Sequence, residues 1–282
     1  MRVFVTGAGG QLGRDLVTAF DGWDVIAADH ARLDVGDRDA VLGAITSLAP
    51  DVVVHAAAWT AVDACEADPD RAWRVNALGG RHVADACRRV GAHLCAVSTD
   101  YVFDGTSPVP YREWDAVNPL SVYGRSKLGG EREVLGLSAG ACVVRTSWVC
   151  GAGGHNFVKT MLGLAAQSGN VTVVDDQHGC PTFTSDLAGM IRTLAVARLP
   201  GVFHVTNQGT TTWYELARAV FALAGADPGR VVPIATAELE PPRPAPRPAN
   251  SVLDNAALRL SGIPMLPEHR EPLERLVKEL AG

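Results

Sequence analysis

Tyr123 and Lys127 stand four residues apart in Tyr-Gly-Arg-Ser-Lys, a spacing that puts both on one face of a helix, one turn apart. A phenol with an ordinary pKa near ~10 exchanges protons poorly at neutral pH. An ammonium beside it stabilises the phenolate, so the pair can act as general acid in a reduction or general base in an oxidation. One strand and one loop upstream, Ser98 and Thr99 offer hydroxyls at a strand end. Thr99 is the better placed to hydrogen-bond the same reacting oxygen, and turn or helix capping is the ordinary alternative use of such a pair. The chain has 25 basic residues, but its only lysines are Lys127, Lys159 and Lys278. A lysine at 127 in an arginine-using chain marks a place where a compact ammonium serves and a planar guanidinium does not.

A second constellation lies at the start of the chain. Gly7, Gly10 and Gly13 follow a first β-branched run directly and open a helical pattern. Such glycines allow a tight turn, close approach of backbone to a pyrophosphate, and packing of helix on strand, with phosphates on the free amides of Gln11, Leu12 and Gly13. The next strand should end on the residue that meets an adenine ribose. Asp29 stands there and favours NADH, whereas His30 and Arg32 could meet a 2′-phosphate and favour NADPH, so the cofactor is NADPH or NADH. Asp34 and Val35 are placed for the adenine, with helix capping as the alternative for Asp34. Ala56, Ala57 and Ala58 leave room where a bulky side chain would block a dinucleotide, although tight packing explains small residues equally well.

These residues need a scaffold, and the pattern supplies one. Short apolar runs at 2–6, 25–28, 51–56, 93–98 and 142–148 alternate with helical patterns at 11–20, 38–47, 68–90 and 123–137. That alternation predicts a Rossmann-type, doubly wound parallel α/β sheet over residues 1–150. Beyond it the pattern is mixed, with helices expected at 156–166, 185–197, 212–224 and 271–280 and strands at 171–174 and 201–206. Residues 171–206 are expected to return to the first domain, while 151–170 and 207–282 form a smaller α/β substrate-binding lobe. The Pro-rich stretch 241–248 can be neither helix nor inner strand.

Composition sets outer limits. The 282 residues are 47% hydrophobic and carry a formal charge of −6, which disfavours nucleic acid as main partner. The longest apolar runs, such as Val52–Trp59 broken by His55, fall short of the ~20 residues that span a bilayer. The start lacks the order of a secretory signal, so a cytoplasmic address is expected. The six cysteines are irregularly spaced in mostly apolar surroundings and read as buried hydrophobes.

The glycine turn with Tyr123-x-x-x-Lys127 resembles the extended short-chain dehydrogenase/reductase superfamily. The strings Ser98 to Gly105, Asn118 to Gly124, Arg145 to Trp148, Asp176-Gln177-x-Gly179-x-Pro181-Thr182 and Arg247-Pro248-x-Asn250-Ser251-x-Leu253 resemble the dTDP-4-dehydrorhamnose reductase family. That resemblance implies hydride transfer from a reduced nicotinamide to C4 of a thymidine-diphospho 4-keto-6-deoxy sugar. It gives Tyr123 as proton donor, Lys127 as its tuner and nicotinamide-ribose ligand, and Thr99 as carbonyl ligand. Val62, Asp63, Tyr101 and Trp148 then lie near the sugar. Arg247, with Asn250 and Ser251, suits the diphosphate, with Asn156 and Phe157 in the same pocket; Arg243 is a solvated charge or a further phosphate ligand. Some members form metal-bridged dimers through acidic side chains; this chain shows no equivalent cluster, so no metal is expected, and a homodimer is left open. A sibling ketoreductase for another activated deoxysugar, such as a streptose or antibiotic-sugar precursor, fits the same motifs. A non-catalytic NADP-binding regulatory subunit shares the fold but does not need Thr99, Tyr123 and Lys127.

Overall fold

The computed structural model describes residues 1–281. Six parallel strands form the main sheet: β1 (Arg2–Thr6), β2 (Asp24–Ala28), β3 (Val52–His55), β4 (His93–Thr99), β5 (Cys142–Thr146) and, later in the chain, Gly201–His204. Because side chains alternate along a strand, Val3, Val5, Val52, Val54, Cys95 and Val144 pack on one face against α1 (Gln11–Ala19). Phe4, Val53, Leu94, Ala96 and Val143 pack on the other, under α2 (Arg38–Leu48), then α3 (Val62–Ala67), α4 (Pro69–Ala72), α5 (Gly79–Val90) and α6 (Val122–Leu137) follow in sequence. Burial on both faces explains why these strands are continuous apolar runs.

The remaining elements are β6 (Val149–Cys150), α7 (Phe157–Ala165), β7 (Val171–Val174), β8 (His178–Gly179), β9 (Thr182–Phe183), α8 (Thr184–Val196) and β10 (Gly201–His204). They are followed by β11 (Thr211–Thr212), α9 (Trp213–Leu223), β12 (Val231–Ile234), α10 (Ala256–Leu260) and α11 (Arg270–Ala281). The main sheet runs β2-β1-β3-β4-β5-β10. The chain therefore reverses its direction of travel at β1, between β2 and β3, and such a switch point leaves a crevice at the strand ends. No helix among the described residues is long and apolar enough to cross a membrane.

Two glycines build that crevice. Gly7 has φ +71°, and a Cβ there would lie 2.6 Å from the Ala57 amide nitrogen, so the turns after β1 and β3 touch backbone to backbone. At Gly13 a Cβ would lie 2.1 Å from the Gly7 carbonyl oxygen, which lets α1 sit directly on the turn.

The structure corrects four expectations. The segment 171–206 divides: β7 pairs with β12 and packs among Val158, Val220, Phe221 and Leu273 in the smaller lobe, whereas α8 and β10 join the main sheet and its core. Likewise 207–282 is not all small lobe, because Leu258 and Leu266 are buried in the main core. The expected strand 142–148 stops at Thr146, and Trp148 adopts φ +47°. Its ring stacks on Trp213 at 3.6 Å and lies where a Cβ of Gly179 would be, a seat that an extended backbone does not reach. Finally, the helical pattern 68–90 contains a π turn, Trp73–Leu78, between α4 and α5.

Gly13→Ala is expected to destabilise the chain by about 1–3 kcal/mol through overpacking. Gly43→Ala, in α2 with open space around it, should stabilise it by roughly 0.5–1 kcal/mol. Urea unfolding of the two variants checks both signs.

Candidate active site

One face of α6 carries Tyr123, Lys127 and Glu131 at successive turns, and each is held against the sheet. The Ser121 hydroxyl caps the helix by accepting from the Gly124 amide at 3.1 Å. Gly124 is obligatory because a Cβ would lie 2.2 Å from the Tyr101 carbonyl oxygen. This close approach sets the Tyr123 ring edge-on to Tyr101, centroids 5.5 Å apart. Lys127 Nζ donates to the Val97 carbonyl at 2.7 Å. Glu131 accepts two bonds from Arg145 of β5, 2.9 and 2.7 Å, and one from the Ser98 hydroxyl.

Ser98 is thereby turned to the interior, and Thr99 is the hydroxyl on the side of Tyr123. Its Oγ1 donates to Asp100 Oδ1 at 2.9 Å and accepts from the Tyr101 amide at 3.3 Å. Burial raises the Tyr123 phenol above its ordinary value, with Thr99 opposing as a hydrogen-bond partner. Burial also lowers Lys127, to about 8, while Glu131 opposes that fall. The expected lowering of the phenol by Lys127 is not seen: the ammonium is turned to the Val97 carbonyl, and desolvation sets the direction. The phenol therefore carries its proton at neutral pH, the state a general acid needs.

At the switch point Gly10 caps α1 without any side-chain bond, so the first amides, Gln11, Leu12 and Gly13, have no intrahelical acceptor and face the crevice. Leu12 offers only backbone, since its side chain is in the core. Gln11 turns its side chain to the second lobe, donating to the His155 carbonyl at 3.0 Å and accepting from Asn156 at 2.8 Å. Ala56, Ala57 and Ala58 are half-buried along the crevice. Asp29, at the end of β2, accepts from the Arg32 amide at 3.0 Å, and His30 and Arg32 are exposed beside it. These residues fit a dinucleotide: a backbone cradle for phosphates, no bulk over it, and a carboxylate and cations at the ribose end. Asp34 is lowered by the Gly36 amide and by Arg74, which bonds it at 3.0 Å. Val35 is buried against Gly79, so only its backbone is available, and that carbonyl bonds His82.

The expected substrate residues divide. Asp63 is gripped by both nitrogens of the Arg247 guanidinium and lies 3.6 Å from Arg243, with Val62 beside it at the start of α3. Arg247 is therefore not a free phosphate ligand, because a carboxylate already fills its fork; Arg243 is more open. Trp148, Trp213 and Phe157 make an aromatic cluster, Phe157 tilted on Trp213 at 4.6 Å. Asn156 caps α7 and bonds Gln11 and the Gly151 carbonyl, so its side-chain amide is fully engaged. Asn250 ties the Ser107 carbonyl and the Val252 amide, and the Ser251 amide bonds the His178 carbonyl. These three hold loops in place rather than presenting free donors.

Several residues of the site escape sequence reasoning. Asn76, exposed to notice only by the π turn, clasps the Trp59 backbone on both its groups and donates to Ser126 at 2.9 Å. Trp213 gave no signal beyond its place at a helix start. Glu131 did, since it lies four residues beyond Lys127 on the same face.

One class of α/β protein puts a Tyr-x-x-x-Lys helix beside the crossover of a glycine-turn sheet, the extended short-chain dehydrogenase/reductases, and this chain is one of them. Within that class it belongs to the family described as RmlD substrate binding domain, whose pattern matches residues 1–281. A dTDP-4-dehydrorhamnose reductase from Streptomyces griseus is 47% identical over 289 aligned residues, covering 100% of this chain and 94% of that one. A probable dTDP-4,6-dihydroxy-2-methyloxan-3-one 4-ketoreductase from Streptomyces antibioticus is 44% identical, covering 99% and 96%. The crystal structure of a dTDP-4-dehydrorhamnose reductase from Bacillus anthracis in complex with NADP superposes with a TM-score of 0.95 at 39% identity, covering 99% of both chains.

Arg145→Met leaves Glu131 buried without its partner and should cost about 3–5 kcal/mol, whereas Glu131→Met combined with Arg145→Met should recover most of that loss; denaturant titration distinguishes them. Burial lowers His55 and His204 to about 3 each, so between pH ~6.5 and 3 the unfolded chain binds more protons than the native one. Stability should therefore fall as pH drops through this window, against a smaller opposing contribution from Asp100, whose pKa burial raises. Unfolding midpoints that stay level from pH 7 to 4.5 would contradict this.

Proposed function

We propose that this chain reduces the C4 ketone of a dTDP-4-keto-6-deoxy sugar, with NADPH or NADH as donor, to give dTDP-L-rhamnose. The observation that carries the reading is the meeting of Thr99, Tyr123 and Lys127 at the end of β4, beside the crevice, in a chain 47% identical to a dTDP-4-dehydrorhamnose reductase. A bound nicotinamide supplies the hydride. Tyr123 gives its phenol proton to the C4 oxygen, and burial keeps that proton in place until charge develops there. Thr99 hydrogen-bonds the same oxygen. Lys127 stabilises the phenolate that Tyr123 leaves behind and holds the nicotinamide ribose.

The α1 amides and the Gly7 and Gly10 backbone take the pyrophosphate, Asp29, His30 and Arg32 the adenine ribose, and Asp34 and Val35 the adenine. In the second lobe Trp148, stacked on Trp213, offers an aromatic surface for the deoxysugar, and Tyr101, Val62 and Phe157 are its further contacts. The diphosphate meets Arg243 first and competes with Asp63 for Arg247. Asn156, Asn250 and Ser251 shape this pocket by fixing its loops. On this reading the protein is a cytoplasmic enzyme of two lobes acting on a small nucleotide sugar.

The 44% identical relative from Streptomyces antibioticus supports a second reading, reduction of another dTDP-activated keto sugar. A regulatory subunit without catalysis is disfavoured by the intact trio. Oxidation of NADPH or NADH with enzymatically made dTDP-4-keto-rhamnose, followed by NMR of the product, separates these. Turnover with the rhamnose precursor is expected, and its absence with both coenzymes overturns the first reading. Tyr123→Phe should lower kcat by about 100-fold or more while cofactor binding persists; near-native turnover would remove Tyr123 as the proton donor.

A further inference from the structure

Asp100 follows Thr99 at the end of β4 and opens a single 3-10 turn, Asp100–Val102. It is 2% exposed. Its Oδ1 accepts the Thr99 hydroxyl proton at 2.9 Å, and its Oδ2, equally buried, has no hydrogen-bond partner of good geometry among the described residues. The groups that face it are Thr99 and Tyr101 on its own segment, Tyr123 of α6, Cys180 between β8 and β9, and Ser251 after the Pro-rich stretch. None is a cation. A buried carboxylate with one oxygen poorly paired is costly, and protonation relieves it; burial raises this one to about 6, against the opposing hydroxyls of Ser251 and Thr99.

The consequence lies in counting protons. A threonine hydroxyl has one proton to give. While Asp100 is a carboxylate, Thr99 gives that proton to Oδ1 and can only accept elsewhere. A Thr99 that only accepts cannot hydrogen-bond a ketone oxygen. When Asp100 is a carboxylic acid its own O–H can point at Thr99 Oγ1, and Thr99 is then free to donate outward.

We infer that Asp100 acts in its acid form as a positioning residue, turning the Thr99 hydroxyl toward the C4 oxygen of the substrate. This rests on the ketoreductase reading above. Asp100 transfers no proton to product: the hydride and the Tyr123 proton complete the reduction, and Asp100 ends the cycle with the proton it began with. An Asn at 100 can imitate the acid, since its amide can donate to Thr99 at every pH.

The test is kcat/KM from pH 5 to 9 with NADPH and dTDP-4-keto-rhamnose for the unchanged protein, Asp100→Asn and Thr99→Val. The unchanged protein should show two alkaline steps, a lower one from Asp100 and an upper one from Lys127, the lower step costing about 100-fold, the scale of one lost oxyanion donor. Asp100→Asn should lose the lower step and hold the high plateau, keeping the upper step. Thr99→Val should start low, lack the lower step, and be unaffected by adding Asp100→Asn. A lower step that persists in Asp100→Asn, or in Thr99→Val where Asp100→Asn fails to fold, overturns the inference, as does its absence from the unchanged protein. No turnover of the unchanged protein at any pH overturns the ketoreductase reading instead.

Discussion

The inner face of α6 is fastened to two adjacent strands by polar contacts at successive turns, and the site exists because of that seam. Glu131 reaches Arg145 on β5 and Ser98 on β4, Lys127 reaches the Val97 carbonyl, and Gly124 lies on the backbone of Tyr101. A helix held only by apolar packing can slide or rotate with little loss. Here the Glu131–Arg145 pair is buried, with side-chain exposures of 4% and 6%, so any rotation of α6 strands a charge in the interior. Tyr123 and Lys127 inherit their placement from the Glu131 contact, two turns beyond the first and one beyond the second.

The two lobes meet across the same crevice through polar side chains. Gln11, on the first turn of α1, bonds Asn156 and the carbonyl before it, and Lys159 donates to the Ala152 and Gly154 carbonyls of the loop they share. On the far side, Asp63 at the start of α3 bonds Arg247 and the Ala245 amide of the Pro-rich stretch. Both ties join a residue at a helix start, Gln11 of α1 or Asp63 of α3, to a loop more than 100 positions later in the chain. The loops around the crevice are thus fixed by the groups that line it.

The fold was legible because its signals are local and redundant: β-branched runs, helical periods and glycines whose missing side chains are required by backbone contact at 2.1 and 2.6 Å. The Thr99, Tyr123 and Lys127 trio was legible because spacing on one helix and a strand end place it without knowledge of distant contacts. The ion pair of Arg247 was not legible because its partner, Asp63, is 184 positions away, and no local pattern records a pairing over that distance. Trp148 was read as a strand residue because Cys-Val-Val-Arg-Thr-Ser-Trp is β-prone throughout; the stack on Trp213, a tertiary contact, overrides that preference. The division of 171–206 between lobes was hidden for the same reason, since β7 finds its partner in β12 and not in its neighbours.

The π turn at Trp73–Leu78 also bears on how chain length can vary. A ladder running i to i+5 holds one residue more than an α-helix over the same span. Deleting one residue there would return the ladder to i to i+4 and leave α4 and α5 in phase, whereas a deletion within α5 would rotate everything after it by about 100°. Such a rotation would carry Val83, Ala84 and Cys87 off the sheet they cover. This long helical segment therefore tolerates a change of length at one place, and that place is where Asn76 holds Trp59 and Ser126. A shorter homologue could keep the packing and lose only the clasp.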